Sequence, residues 1–255
     1  MNALKRIFRF CFSIYGFSVF LLLMFILLPL FIYAFLQKPI KSGNLIYKIS
    51  RFWADVFFFL TGIRHWNIYE EAHDKSKEYI FVSNHISYLD IPMMMKVIRK
   101  QNIRILGKAE MNKIPVFGSI YKRGTVSVNR ENANARAKSV DKLIAFIQEE
   151  ISVFICPEGT FNMTNQPLKS FYDGAFKIAI ETQKPIRPIL FLDTYDRLNY
   201  KSIFSLTPGK CRGIYLTKTV TEGLTLNDVA MLKKKIFDQM EEALMRYNAS
   251  WINRN

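Results

Sequence analysis

From Cys11 to Leu36 the chain carries no charged residue, and its middle, from Phe20 to Leu28, is wholly apolar. That run exceeds the ~20 residues an α-helix needs to cross a bilayer. It is also too long for the apolar core of a signal peptide and lacks a small-residue cleavage site, so it predicts a retained membrane helix. Pro29 lies inside the run and marks where a bend into a hairpin is expected. A second aromatic-rich stretch, residues 52–60, predicts an interfacial helix. Beyond about residue 70 the period changes. Short β-branched and aromatic runs at 79–83, 103–106, 125–128, 152–156, 186–192 and 213–217 read as buried strands. Between them, Ala133, Ala137, Val140, Ile144 and Ile147 step along one helix face, as do Val229, Leu232, Ile236, Met240 and Leu244. Thr225 or Asn227 is the expected N-cap of that last helix. Strand–helix alternation predicts an α/β fold: a mixed, mostly parallel sheet covered by helices, with an N-terminal membrane-embedded helical segment. The division expected is 1–70 for the membrane-binding helices and 71–255 for the α/β domain.

Charge sharpens this picture. The chain has 255 residues, is half hydrophobic with 22 Phe, and carries a formal net charge of +15. So greasy and basic a surface suits anionic lipid, nucleic acid or an acidic carrier protein. Up to Glu70 the basic residues are Lys5, Arg6, Arg9, Lys38, Lys41, Lys48, Arg51 and Arg64, against Asp55 and Glu70 alone. The basic excess accompanies the apolar segment, which favours a membrane over nucleic acid. Both flanks of the first helix are basic, so loop charge assigns no orientation. Cys11, Cys156 and Cys211 form no C-x-x-C pair, which removes the common zinc spacings and any disulfide framework and indicates a reducing compartment. The glycine-rich nucleotide fingerprints are absent. No metal and no cofactor is expected.

Three stretches carry chemistry. In "SNHISYLD", residues 83–90, a strand ends at Asn84-His85 and a carboxylate follows at Asp90. Five positions along a tightening turn bring a carboxylate against an imidazole, fixing its tautomer and stabilising the imidazolium. Such a histidine suits general-base work near neutrality; the other reading is a structural His beside a helix-capping Asp. No G-x-S-x-G elbow is present and nothing near Cys156 in sequence lowers its pKa, so the proton is expected to come from the substrate, a hydroxyl attacking an activated acyl group being one such case. In "FICPEGTFN", residues 154–162, Glu158, Gly159 and Thr160 leave a carboxylate, a bare backbone and a hydroxyl at a strand end, or form an ordinary turn. In "GTVSVNR" a strand delivers Arg130, a bidentate phosphate ligand or a solvated side chain.

In this order the blocks resemble the glycerolipid acyltransferase family, typified by 1-acylglycerol-3-phosphate acyltransferases. Its N-H-x-x-x-x-D pattern reads Asn84-His85 to Asp90, its G-x-x-x-x-x-R block Gly124 to Arg130, its P-E-G-T block Pro157 to Thr160, and its P-I-x-P-like block Pro185 to Pro188. The segment 107–118 resembles the family's link between its first two blocks. The resemblance spans roughly residues 78–192. It implies that His85, oriented by Asp90, deprotonates a lysolipid hydroxyl, which attacks the thioester of acyl-CoA or an acyl carrier protein with no metal and no acyl-enzyme. It also implies that Arg130, Glu158, Gly159 and Thr160 position the acceptor head group at a membrane, the cytoplasmic face of a bacterial inner membrane being the expected one. Two positions depart from the pattern. Phe161 stands where the family has Arg, and Tyr172-Asp173 replaces a typical Lys. Lys108, Lys169 and Arg187 are the cations available to compensate. The main acceptor expected is 1-acylglycerol-3-phosphate, the alternative a lysolipid with a less anionic or amino-acid-containing head. A hydrolase using the same pair and a non-catalytic lipid-binding protein are the readings from other classes.

Overall fold

The computed structural model describes residues 3–114, 117–128 and 132–253. Helix α1 (Ala3–Phe35) and helix α2 (Pro39–Leu60) form an antiparallel hairpin. Its turn falls at residues 36–38 rather than at Pro29, where the bend was expected. Packing explains the shift: Val19, Leu23, Leu27, Phe31 and Ala34 make one buried stripe that holds α1 together through the proline. Pro39 suits the start of α2, where its missing N–H has no partner to lose. The hairpin is stapled by Phe20 of α1, edge-on to Trp53 at 5.0 Å and to Phe57 at 6.4 Å, the two α2 rings stacking on each other. The other side of α1 exposes Leu22, Phe25, Ile26, Leu30 and Tyr33. By length and composition α1 is able to cross a membrane.

Seven strands follow: β1 (Ile63–Tyr69), β2 (Ile80–Ser83), β3 (Ile103–Lys108), β4 (Thr125–Val128), β5 (Ser152–Ile155), β6 (Ile186–Phe191) and β7 (Gly209–Tyr215). They form one sheet in the order β1-β7-β6-β2-β5-β3-β4, parallel except at the β6–β7 pairing. The six expected strands are present. Strand β1 was not foreseen, because Arg64, His65 and Asn67 interrupt its apolar positions, as suits an edge strand. The sheet therefore begins at Ile63, inside the segment assigned above to the membrane helices.

Among the described residues there are six more α-helices: α3 (Asp90–Val97), α4 (Phe117–Gly124), α5 (Ala133–Gln148), α6 (Gly174–Thr182), α7 (Thr194–Arg197) and α8 (Val229–Arg246). Successive strand residues point to opposite layers. Tyr79, Phe81, Phe154, Ile189 and Phe191 pack with α1, α2 and α3. Ile80, Val82, Val153, Ile155 and Leu190 pack with α5, α6 and α8. Ahead of α8, Thr225 and Asp228 close a capping box. Strands β6, β2, β5, β3 and β4 run the same way, so their carboxyl ends share one edge, where ligands gather in such sheets.

Candidate active site

Strand β2 lies mid-sheet and is buried along its whole length. Just past its end, Asn84 is spliced to β6: its Nδ2 donates to the Phe191 carbonyl at 3.1 Å, and the Phe191 N–H donates to its Oδ1 at 2.8 Å. This clamp throws the next residue, His85, over the sheet edge. Its Nδ1 lies 2.9 Å from Oδ2 of Asp90, the first residue of α3 and fully buried. That oxygen also accepts the Ile86 N–H at 2.7 Å and the Ser87 N–H at 2.8 Å. The other oxygen accepts the Thr194 hydroxyl at 2.8 Å. A carboxylate that only accepts makes Nδ1 the protonated nitrogen and leaves the Nε2 lone pair open. The imidazole is 21% exposed, so the ring is reachable from outside.

The backbone of His85 is fixed from the neighbouring strand. Its N–H donates to Glu158 Oε1 at 2.8 Å, and its carbonyl accepts the Asn162 N–H at 2.7 Å. Glu158 Oε2 accepts the Lys169 N–H at 2.8 Å, and the whole side chain is sealed from solvent. Burial pushes its pKa up to about 8, against the pull of the two N–H donors. In this structure Glu158 ties loops together rather than facing a ligand. Gly159 has φ +74°, and a Cβ there would stand 2.7 Å from the Tyr172 ring, so the position suits glycine on both counts. Thr160 is exposed and its hydroxyl accepts the Lys169 ammonium at 2.8 Å. Lys108 ends β3 at the same sheet edge, half-exposed and 3.7 Å from Glu110. Arg130 lies outside the described residues, two positions beyond the end of β4.

The departures from the family pattern land in different places. Phe161 turns its ring onto the His85 imidazole, centroids 4.4 Å apart, and meets Tyr88 at 5.1 Å and Tyr200 at 6.3 Å. One wall beside the imidazole is thus aromatic. Tyr172 lies over Gly159, and Asp173 is drawn to α8 by Lys233 at 2.7 Å, which offsets its charge. Arg187, one of the cations considered as compensation, is unsuited to that role. It sits near the start of β6, fully buried, donating to Glu71 Oε2 at 2.6 Å and to the Glu71 and Ala72 carbonyls. The supports from Thr194 and Asn162 left no trace in sequence, because Thr194 comes 104 residues after Asp90 and its hydroxyl has no motif.

A family model described as Acyltransferase matches residues 65–192, half of the chain. The 1-acyl-sn-glycerol-3-phosphate acyltransferase alpha of Homo sapiens is 30% identical over 167 residues, covering 65% of this chain and 58% of its own length. The beta enzyme of Homo sapiens is 32% identical over 154 residues, 60% of this chain and 55% of its own. The 1-acyl-sn-glycerol-3-phosphate acyltransferase of Haemophilus influenzae is 26% identical, covering 66% of this chain and 69% of its own. The chain spans little over half the length of the human relatives it matches. Among solved structures, the 1-acyl-sn-glycerophosphate (LPA) acyltransferase PlsC from Thermotoga maritima superposes with a TM-score of 0.76 at 19% identity. The superposition covers 99% of this chain and 100% of that one, so the two share a fold from end to end.

Proposed function

This chain belongs to the acyltransferase family, and on that premise we propose that it is a membrane-associated O-acyltransferase acting on lysolipids. The reaction moves a fatty acyl group from a thioester donor, acyl-CoA or an acyl carrier protein, to a free hydroxyl. The leading acceptor is 1-acylglycerol-3-phosphate, with phosphatidate as product, as the names of the relatives suggest. The observation that carries the reading is the His85–Asp90 pair, with Nδ1 committed to the carboxylate at 2.9 Å and Nε2 left open.

In this mechanism Nε2 of His85 takes the acceptor's hydroxyl proton as the oxygen attacks the thioester carbonyl. Asp90 stabilises the imidazolium that forms. The tetrahedral intermediate then expels the thiolate, which receives the proton back from Nε2. Thr160 and Arg130 hold the acceptor head group, with Lys108 and Lys169 as the nearby cations, while Glu158 and Gly159 shape the loop. Lysolipid and product both reside in membrane, and both donors are cytosolic, so on this reading the enzyme works at a cytoplasmic membrane face, in a bacterium that of the inner membrane. A second reading, an acceptor with a less anionic head, is favoured by Phe161, whose ring packs on His85 and which stands at the sequence position where the family pattern has Arg.

The test is acyl transfer in detergent from a labelled donor to competing acceptors: lysophosphatidate, a zwitterionic lysolipid and an amino-acid lysolipid. Transfer to lysophosphatidate first is expected; preference for another acceptor transfers the assignment to the second reading. His85→Ala should cut turnover by about 10²–10⁴-fold with the protein still folded. Activity within a few-fold of wild type, or release of free fatty acid without any acceptor, overturns the transferase mechanism.

A further inference from the structure

The segment 194–207, from helix α7 to the start of β7, reaches Asp90 at one end and helix α1 near the other. On the inner side, Thr194 at its base donates to Asp90, and the Ser87 hydroxyl donates to the Leu198 carbonyl. Ser87 and Asn199 form an isolated antiparallel bridge, and Tyr200 stacks on Phe161. On the outer side, the Leu206 N–H donates to the Ser13 hydroxyl of α1 at 3.0 Å. Leu206 also fits against Gly16 so closely that a Cβ there would come within 2.1 Å of it. Between these anchors the tip carries Ile203, 61% exposed, and Phe204, 46% exposed, with the Phe204 ring 5.0 Å from Phe10 of α1.

We propose that this segment is an interfacial strap: its tip enters the lipid bilayer beside α1, and its base holds Asp90, so that membrane seating sets the turnover of His85. The inference rests on the reading of His85 and Asp90 as the catalytic pair. A bilayer is the occupant because the tip continues the exposed apolar side of α1, where Ile7, Phe10 and Ile14 follow one another at three- and four-residue steps along one face. That helix has the length and composition of a membrane span. Lys201, near the Tyr195 and Tyr200 rings at 5.9 Å, and Arg9 on α1 place cations at the level where a bilayer's anionic head groups lie. Apolar tip, aromatic neighbours and flanking cations together match the chemistry of the membrane–water interface.

Two measurements test this on the full-length protein. Ile203→Trp adds a reporter above the native Trp53, Trp66 and Trp251, whose emission the wild type supplies as background. On phosphatidylcholine–phosphatidylglycerol vesicles bearing bromine-labelled chains, at least twofold quenching of the added emission is expected. Emission untouched by bromolipid and quenched by aqueous iodide overturns insertion. For the coupling, Ile203→Asp should lower kcat on vesicles about tenfold while the protein still sediments with them. Thr194→Val should lower kcat similarly at unchanged acceptor KM, with Thr194→Ser within twofold of wild type. Full turnover in both Ile203→Asp and Thr194→Val overturns the coupling. If the wild type acylates no lysolipid, the acyltransferase reading falls by itself, and the quenching result still decides whether the tip enters the bilayer.

Discussion

Glu158 shows how a residue can serve a site without facing it. Its two oxygens take the N–H groups of His85 and Lys169, so one buried side chain sets the height of the histidine loop and of the loop bearing Lys169. Its pKa rises from the ordinary 4.5 to about 8 on folding. Between those values the folded protein binds more protons than the unfolded chain, so stability falls as pH rises across that window. Denaturation of the wild type in detergent should show that fall, with a slope of at most about 1.4 kcal/mol per pH unit. Glu158→Gln should lack it, and equal slopes in the two proteins would refute the assignment. Lys169 makes the complementary case. Its ammonium reaches Thr160, where the head group is proposed to lie. A charge-assisted hydrogen bond is worth about 1.5–3 kcal/mol, less where solvent screens it. Lys169→Met should therefore raise the KM for lysophosphatidate about tenfold and leave that for a neutral monoacylglycerol unchanged. A parallel rise for both acceptors would take Lys169 out of the head-group site. In the sequence, spacing singled out His85 and Asp90 as candidates, and the turn Pro157 to Thr160 at a strand end singled out Thr160. The hydroxyl of Thr194 and the ring of Phe161 were invisible as partners, because sequence distance says nothing about which side chains a folded edge collects.

Elements were more legible than contacts. Strands β2, β5 and β6 are fully buried, which makes them short continuous apolar runs, a signal that survives without any partner in view. Edge strand β1 has one wet face and carries Arg64, His65 and Asn67, so the same signal was diluted. Arg187 misled for a related reason. Inside a strand an arginine reads as a surface cation, yet here it is buried and paired with Glu71, which Lys218 also grips at 2.7 Å. Those bonds hold Glu71 well below the usual carboxylate range, to about 2. The ion pair fastens the segment after β1 to the start of β6, away from the catalytic edge. Pro29 gives the opposite lesson. Local chemistry favours a break there, but the stripe packed on α2 keeps α1 continuous.

At the scale of the molecule, the hairpin of α1 and α2 shares one apolar cluster with a face of the sheet, through Trp53, Phe57, Phe81 and Phe191. Deleting residues 3–35 should therefore do more than detach the protein from lipid. It strips Trp53 and Phe57 of their cover and Leu206 of its seat on Ser13. The expected outcome is a lower Tm in detergent and at least a tenfold loss of kcat even with a short-chain, water-dispersed acceptor. A truncated protein with wild-type kcat would make the hairpin a detachable anchor. The sequence by itself determined the period of each element, the apolar length of α1, the basic excess around it and the spacing of histidine to aspartate. Each of these is local, fixed by neighbours a few residues apart. Only the tertiary structure decided that α1 turns after Phe35, that Arg187 is spent on Glu71, that Phe161 faces His85, and that one strap joins Asp90 to α1. Those outcomes depend on which distant surfaces exclude water together, and hydrophobic burial is non-directional until the chain has chosen its partners.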